Sequence, residues 1–274
     1  MDKLESDTDS KGFKRLRNEV SKRIGVDYEN YSKSHLRRRF HARMRVVETP
    51  KFTDYLNYLK RNDEEIEKLR KLLTVNVTKF KRDEDVWEII EDEVIPQIID
   101  KKNDEIFKKI KVWSAGCATG EEPYSLAISF LNNQLPENIS IQIYGTDLDN
   151  QALDFARNGV YPDKSVKNLS KMEKKEFFIQ KNKGWILKDK IKDLVKFEKK
   201  DIFKTEFKRK FDLILCRNLM IYFNNDSKAD LMKRLVESLN KGGFLIIGMA
   251  ENLRAPAKDD VESYDLKKRI FVKP

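Results

Sequence analysis

Apolar positions recur at two different periods along this chain, and the change falls near residue 110. Before it, Phe13, Leu16 and Val20 repeat at helical spacing, as do Leu36, Phe40 and Met44, then Tyr55, Leu59, Ile66 and Leu69. No strand-rich stretch interrupts residues 1–75, which predicts an all-helical region, with Ser34 placed to cap its second helix. Beyond residue 110, short apolar runs alternate with helical stretches. The runs are 110–116 (IKVWSAG), 139–147 (ISIQIYGTD), 193–201 (DLVKFEKKD), 211–218 (FDLILCRN) and 243–249 (GFLIIGM). Strand–helix alternation with continuous apolar runs predicts an α/β fold around a parallel sheet. The last run, KRIFVKP, is expected to close that sheet as an edge strand. A charged stretch between Val160 and Lys190 predicts a small excursion on the sheet. The expected organisation is a helical part over 1–75, a linker and helix over 76–109, and an α/β part over 110–274 with its insertion at about 160–190.

Composition narrows the class. Charged residues make up 37% of the 274, but 39% are apolar and 10% aromatic, enough for a sizeable core and against wholesale disorder. No apolar run approaches the roughly 18 residues of a membrane span, and the polar start MDKLESDTDS does not read as a signal peptide. A cytoplasmic location is expected. Cys117 and Cys216 sit in apolar segments and suggest neither a disulfide framework nor a metal site. The net charge of +10 would attract a polyanion, either nucleic acid or an acidic protein. Lysine and arginine are spread along the whole chain, however, so solvated faces account for most of the excess.

The segment VWSAGCATGEEPYSLAI (112–128) carries the strongest chemical signal. An apolar strand enters a turn with Gly116 and Gly120, and a helix follows, which lets backbone approach a ligand at a strand's carboxyl end. The turn lacks the dinucleotide glycine pattern and the Gly-Lys-Ser/Thr of a phosphate loop. Glu121 and Glu122 open the helix instead, so a pyrophosphate is repelled and a cation welcomed. S-adenosylmethionine, with its sulfonium and ammonium groups, fits that charge. Asp147 ends the next run, where nucleoside-binding α/β folds hold ribose hydroxyls, while Asp149 reads better as a helix cap. Asp201 and Ile202 lie at another strand tip, suited to an adenine's amino edge and face. Arg217, Asn218 and Tyr222 follow a central run.

The blocks LLTVNVTKFKRD (72–83), WSAGCATGEEPYSLA, IYGTDLD and CRNLMIYF, in that order, resemble the chemotaxis protein methyltransferases, the CheR family of chemoreceptor glutamate O-methyltransferases. The resemblance spans nearly the whole chain. It implies a class I, Rossmann-like S-adenosylmethionine-dependent methyltransferase with an all-helical N-terminal receptor-recognition domain and a small β-subdomain insertion. It also implies the reaction: methyl transfer to glutamates on the cytoplasmic helices of chemoreceptors, giving 5-O-methyl esters and S-adenosylhomocysteine, without a metal. Residue by residue, it implies cofactor contacts by Asn76, Thr78, Arg82, Glu121, Asp147, Asp201, Ile202, Arg217 and Asn218. Val77 and Lys81 stand where the family usually has Glu and Phe, and Asp201 where it has Asn, which alters the packing around the cofactor.

A carboxylate with a pKa near 4 is already a nucleophile at neutral pH, so placement against the methyl group matters more than a general base. Arg82 and Tyr222 are expected to orient the substrate carboxylate or balance its charge. Substrate recognition is expected on SHLRRRFHARMR, where Leu36, Phe40 and Met44 share a face and Arg38 and Arg45 point away. His35 and His41 are expected on the helix surface. The insertion contains a single glycine, Gly184, which predicts recognition of the methylation helices themselves, without a docked receptor tail. A monomer is expected. Two alternatives remain open: a nucleic-acid methyltransferase, which the charge favours but the missing Asn/Asp-Pro-Pro-aromatic motif opposes, and a non-catalytic S-adenosylmethionine sensor.

Overall fold

The structure, a computed structural model, describes the chain except for Met1, Val75, Phe107, Lys183, residues 205–208 and Arg254, and without the side chains of residues 2–8. The described chain forms two compact units: Met1–Val75 with Tyr222–Lys228, and Asn76–Ile221 with Ala229–Pro274.

The first unit is built on α1 (Asp2–Ile24), α2 (Lys33–Val46), α3 (Phe52–Lys60) and α4 (Asp63–Leu73). The apolar stripes predicted from spacing form its core: Phe13, Leu16, Val20, Leu36, Phe40, Met44, Tyr55, Leu59 and Leu69 are all buried. The Phe13 ring packs at 5.8 Å from Phe40 and 5.5 Å from Phe52. Arg43 of α2 grips Glu65 of α4 with both Nε (2.8 Å) and Nη2 (2.6 Å), and the Tyr55 hydroxyl donates to the same carboxylate at 2.8 Å. Residues 222–224 complete this unit. Phe223 bridges Tyr31, the Ser32 N–H donates to the Tyr222 carbonyl (2.9 Å), and the Asn224 N–H donates to the Asn30 carbonyl (2.9 Å). That anchor corrects the expected cap. Ser32, not Ser34, is the N-cap of α2, because its N–H is already held by Tyr222 and the helix begins directly after it.

In the second unit, α5 (Glu84–Ile89), a π-helical turn (Ile90–Val94) and α6 (Ile95–Asn103) lead into β1 (Lys109–Ala115). Then come α7 (Glu121–Asn132), β2 (Ser140–Asp147), α8 (Asn150–Asn158), β3 (Val160–Pro162), α9 (Lys171–Phe177), β4 (Phe178–Lys181) and β5 (Gly184–Leu187). The chain continues through α10 (Asp189–Lys192), β6 (Val195–Lys199), β7 (Phe211–Cys216), α11 (Asn225–Glu237), β8 (Leu239–Ile247), β9 (Glu262–Asp265) and β10 (Ile270–Val272). The main sheet has the order β6-β2-β1-β7-β8-β10-β9. Its first five strands are parallel, with Val112 opposite both Ile143 and Leu213, and β10 runs antiparallel between β8 and β9. The KRIFVKP run is therefore an inner strand, and the edge belongs to β9. That strand was hidden because its sequence, ESYD, is polar and largely exposed. The insertion folds as a second, antiparallel sheet of order β3-β5-β4.

The order of strands reverses direction at β1, which sends its neighbours β2 and β7 to opposite sides. Such a switch point opens a crevice at the carboxyl ends of the strands. Asp147 is the last residue of β2, and Asp201 and Arg217 follow β6 and β7 at the same edge.

Candidate functional site

The turn between β1 and α7 is held from three sides. The N–H groups of Gly116 and Cys117 donate to the Thr146 carbonyl (2.8 and 3.0 Å), and the Tyr161 hydroxyl donates to the Thr119 carbonyl (2.8 Å). Glycine is required at both ends of the turn. Gly116 and Gly120 have φ of +75° and +89°, and a Cβ at Gly120 would lie 2.7 Å from that of Ala156.

Asp147 fastens this turn and keeps capacity to spare. Its Oδ2 accepts from the Ala118 N–H (2.8 Å) and its Oδ1 from the Asp149 N–H (2.9 Å). The carboxylate is half-buried, so each oxygen retains a lone pair for a diol. Burial pushes its pKa up, against the pull of those N–H groups. Asp149 caps α8 through Gln151 and Ala152, as its position predicted, and also accepts from Asn76 Nδ2 at 2.9 Å.

The two glutamates of α7 diverge. Glu121 is buried (3% exposed), accepts from the Thr119 hydroxyl (2.6 Å) and the Ser165 hydroxyl (3.2 Å), and is raised in pKa by burial. It lines a cleft of about 780 Å³ with Asn76, Thr78, Arg82 and Thr119. Glu122 turns to the sheet instead, accepting from Ser114 Oγ (2.7 Å) with Arg217 Nη1 at 3.7 Å. Burial raises its pKa too, with Arg217 opposing.

Arg217 serves as an internal strut. Its side chain is 2% exposed, with Nη1 donating to the Arg82 carbonyl (3.0 Å) and Nη2 to Asp83 (2.5 Å). The Trp87 indole N–H donates to the same carbonyl at 2.9 Å, which fixes the backbone of Arg82 while its guanidinium reaches the Val77 carbonyl (3.1 Å). Asn218 follows at φ +57°, in a loop that Glu251 cradles. The buried Glu251 carboxylate accepts from the N–H groups of Met220 and Gly248, both at 2.7 Å. Sequence reasoning missed Glu251, because a lone acid in a loop carries no spacing signal. Beside β2, Asp201 spends one oxygen on the Phe203 N–H (2.9 Å), while Ile202 is buried.

Of the remaining candidates, Tyr222 groups with the first unit, where its ring meets His35 edge-on at 5.0 Å. His35 is not on the surface as expected. It is 8% exposed, and burial together with Arg39 and Arg38 pushes its pKa down to about 4. His41 is exposed. Arg38 and Arg45 are both exposed on α2, whereas Arg37 and Arg43 are committed to Asp9 and Glu65. Both cysteines are free and buried, and no metal-holding group of His, Cys, Asp or Glu occurs among the described residues.

Residues 11–74 match the family model described as CheR methyltransferase, all-alpha domain, and residues 76–270 match CheR methyltransferase, SAM binding domain. The chain belongs to the CheR methyltransferase family. Among its relatives in the family, a chemotaxis protein methyltransferase of Listeria innocua is 30% identical over 238 residues, covering 87% of this chain and 88% of that one. One of Borreliella burgdorferi is 30% identical over 253 residues (87% and 89%). Chemotaxis protein methyltransferase 2 of Vibrio cholerae is 32% identical over 256 residues (90% and 86%). Like the family, the chain has a class I methyltransferase fold and an S-adenosylmethionine-binding domain, and it acts as a methyltransferase in chemotaxis. No described helix is long and apolar enough to cross a membrane.

The donor set fits the cofactor. Carboxylates surround the glycine turn where a phosphate-binding protein would place a lysine, so the site suits a cationic nucleoside. Asp147 offers paired lone pairs to a ribose, and Glu121 faces the cleft as a partner for an ammonium.

Proposed function

We propose that this chain methylates the side-chain carboxylate of glutamates on the cytoplasmic helices of chemoreceptors, forming glutamyl 5-O-methyl esters. The single observation carrying this reading is the match of both family domains, in order, over residues 11–270. In this reading the protein is a cytoplasmic monomer, needs no metal and takes no nucleic acid.

S-adenosylmethionine, when bound, supplies a methyl carbon already activated by its sulfonium. Asp147 would hold the ribose hydroxyls, Glu121 the ammonium, and Asn76 and Thr78 the neighbouring wall. Asp201, Ile202 and Asn218 would border the adenine. Arg217 is assigned a positioning role, since it holds the Arg82 backbone and lies out of solvent. Arg82 would orient the acceptor carboxylate. Because that carboxylate is ionised at neutral pH, no protein group has to remove a proton, and catalysis is mainly alignment.

The test is transfer of labelled methyl from S-adenosylmethionine to receptor-containing membranes. Label that mild base releases as methanol supports the ester. Base-stable label, or label in added RNA, refutes it.

A further inference from the structure

The cleft that holds Arg82 and Glu121 is rimmed by Lys79, Lys164 and Lys167. Lys164 and Lys167 are exposed, and among the described residues none of the three lysines has an ion-pair partner. Elsewhere in the same unit, Lys190, Lys192 and Lys200 are paired with acids.

The position of the rim is fixed. Ser165, between the two exposed lysines in sequence, donates through its hydroxyl to Glu121 (3.2 Å), and its carbonyl accepts from the Phe80 N–H (3.0 Å). Asn168 Nδ2 donates to the Lys81 carbonyl at 3.1 Å. The turn after β3 is thus stitched to the segment carrying Lys79 and Arg82. Three lysines therefore line the cleft that Arg82 and Glu121 share, and Lys164 and Lys167 are open to a ligand arriving from solvent.

We propose that this rim binds carboxylates flanking the target glutamate, so that the enzyme selects glutamates in acidic surroundings. The inference rests on the reading of the reaction as glutamate methylation. Carboxylates suit the rim better than phosphates do. Glu121 and Asp83 line the same cleft and oppose the dense charge of a polyphosphate more strongly than the single charge of each carboxylate, while separate lysines act as point charges that accept carboxylates at varied spacing. A consequence follows for a clustered substrate. Each ester formed removes one flanking charge, so the rate falls as a cluster fills.

The experiment uses the full chain and two versions of a receptor cytoplasmic fragment with one methylatable glutamate. Its flanking residues are aspartates in one version and asparagines in the other. Wild type is expected to favour the acidic fragment by about tenfold in kcat/KM at low salt. In K164Q/K167Q that ratio is expected to approach one, with the Kd for S-adenosylmethionine unchanged. A double variant that keeps the preference, or loses it only together with cofactor binding, overturns the proposal. So does equal use of both fragments accompanied by RNA binding that the double substitution abolishes, which would make the rim a nucleic-acid contact. If wild type forms no base-labile ester on either fragment, the reaction itself has been misassigned and the rim falls with it. Ester formation without charge preference refutes the rim alone.

Discussion

Asp147 spends one lone pair of each oxygen on a backbone N–H and, being half-buried, keeps others for a ligand, so it both holds the glycine turn and offers itself to a ribose. Asp147→Ala is expected to weaken S-adenosylmethionine by about 2–4 kcal/mol, the worth of two hydroxyl bonds to a charged acceptor. Calorimetry on the folded variant measures it, and unchanged affinity would remove the residue from the site. Glu121 gives a second expectation, one that concerns stability as well as binding. Burial raises its pKa, so the folded protein holds this proton more tightly than the unfolded chain. Its favourable contribution is present below the ordinary carboxylate range and lost as pH rises through the raised value. Glu121→Gln should therefore gain in Tm relative to wild type as pH rises from 5 to 8 while losing cofactor affinity. A Tm difference that is flat or shrinks over that interval contradicts this. At this scale much was legible from the sequence: Asp149 is the cap its position suggested, and both glutamates sit at the helix start. The divergence of Glu121 from Glu122 was not legible, because it depends on Ser165 and Arg217, residues far away in the chain.

At the scale of elements, the apolar runs located the inner strands because buried parallel strands have no polar face. The second sheet was not readable from periodicity, since its strands are short and β4 and β5 are mostly exposed or half-buried; only the family resemblance implied a small β-subdomain there. What secures this insertion is also invisible to periodicity. Lys81, where the family usually has Phe, extends its ammonium to Glu173 (2.6 Å) on α9 and Glu91 (2.5 Å) in the π-helical turn. Burial drives the Glu173 carboxyl upward, but Lys81 and the Ser170 cap outweigh it and hold it below its ordinary range. That contribution is present above the ordinary carboxylate range and is lost as pH falls through the depressed value. Lys81→Met strands two acids and is expected to destabilise by about 3 kcal/mol. Denaturant titration checks the figure. A loss below about 1 kcal/mol would show that the network behaves like a solvated surface pair.

For the whole molecule, a charge of +10 suggested a polyanion without locating it. On α2 the structure divides the arginines into committed and exposed: Arg37 and Arg43 stabilise the helical unit, and Arg38 and Arg45 project into solvent. Reversing the latter two to Glu is expected to reduce receptor methylation at least about tenfold while leaving cofactor affinity intact, with added salt slowing the wild type as well. Parallel loss of cofactor binding would make the helix a support and not a recognition surface. The helical unit was legible from its stripes, but not the short return of the chain at 222–228 that completes it. Nothing in the local sequence marks Phe223 as the partner of Tyr31. That return makes the two halves poor candidates for exchange by recombination. A chimera joined after residue 75 would inherit, in the middle of its transferase half, a stretch shaped to fit a helical partner it no longer has.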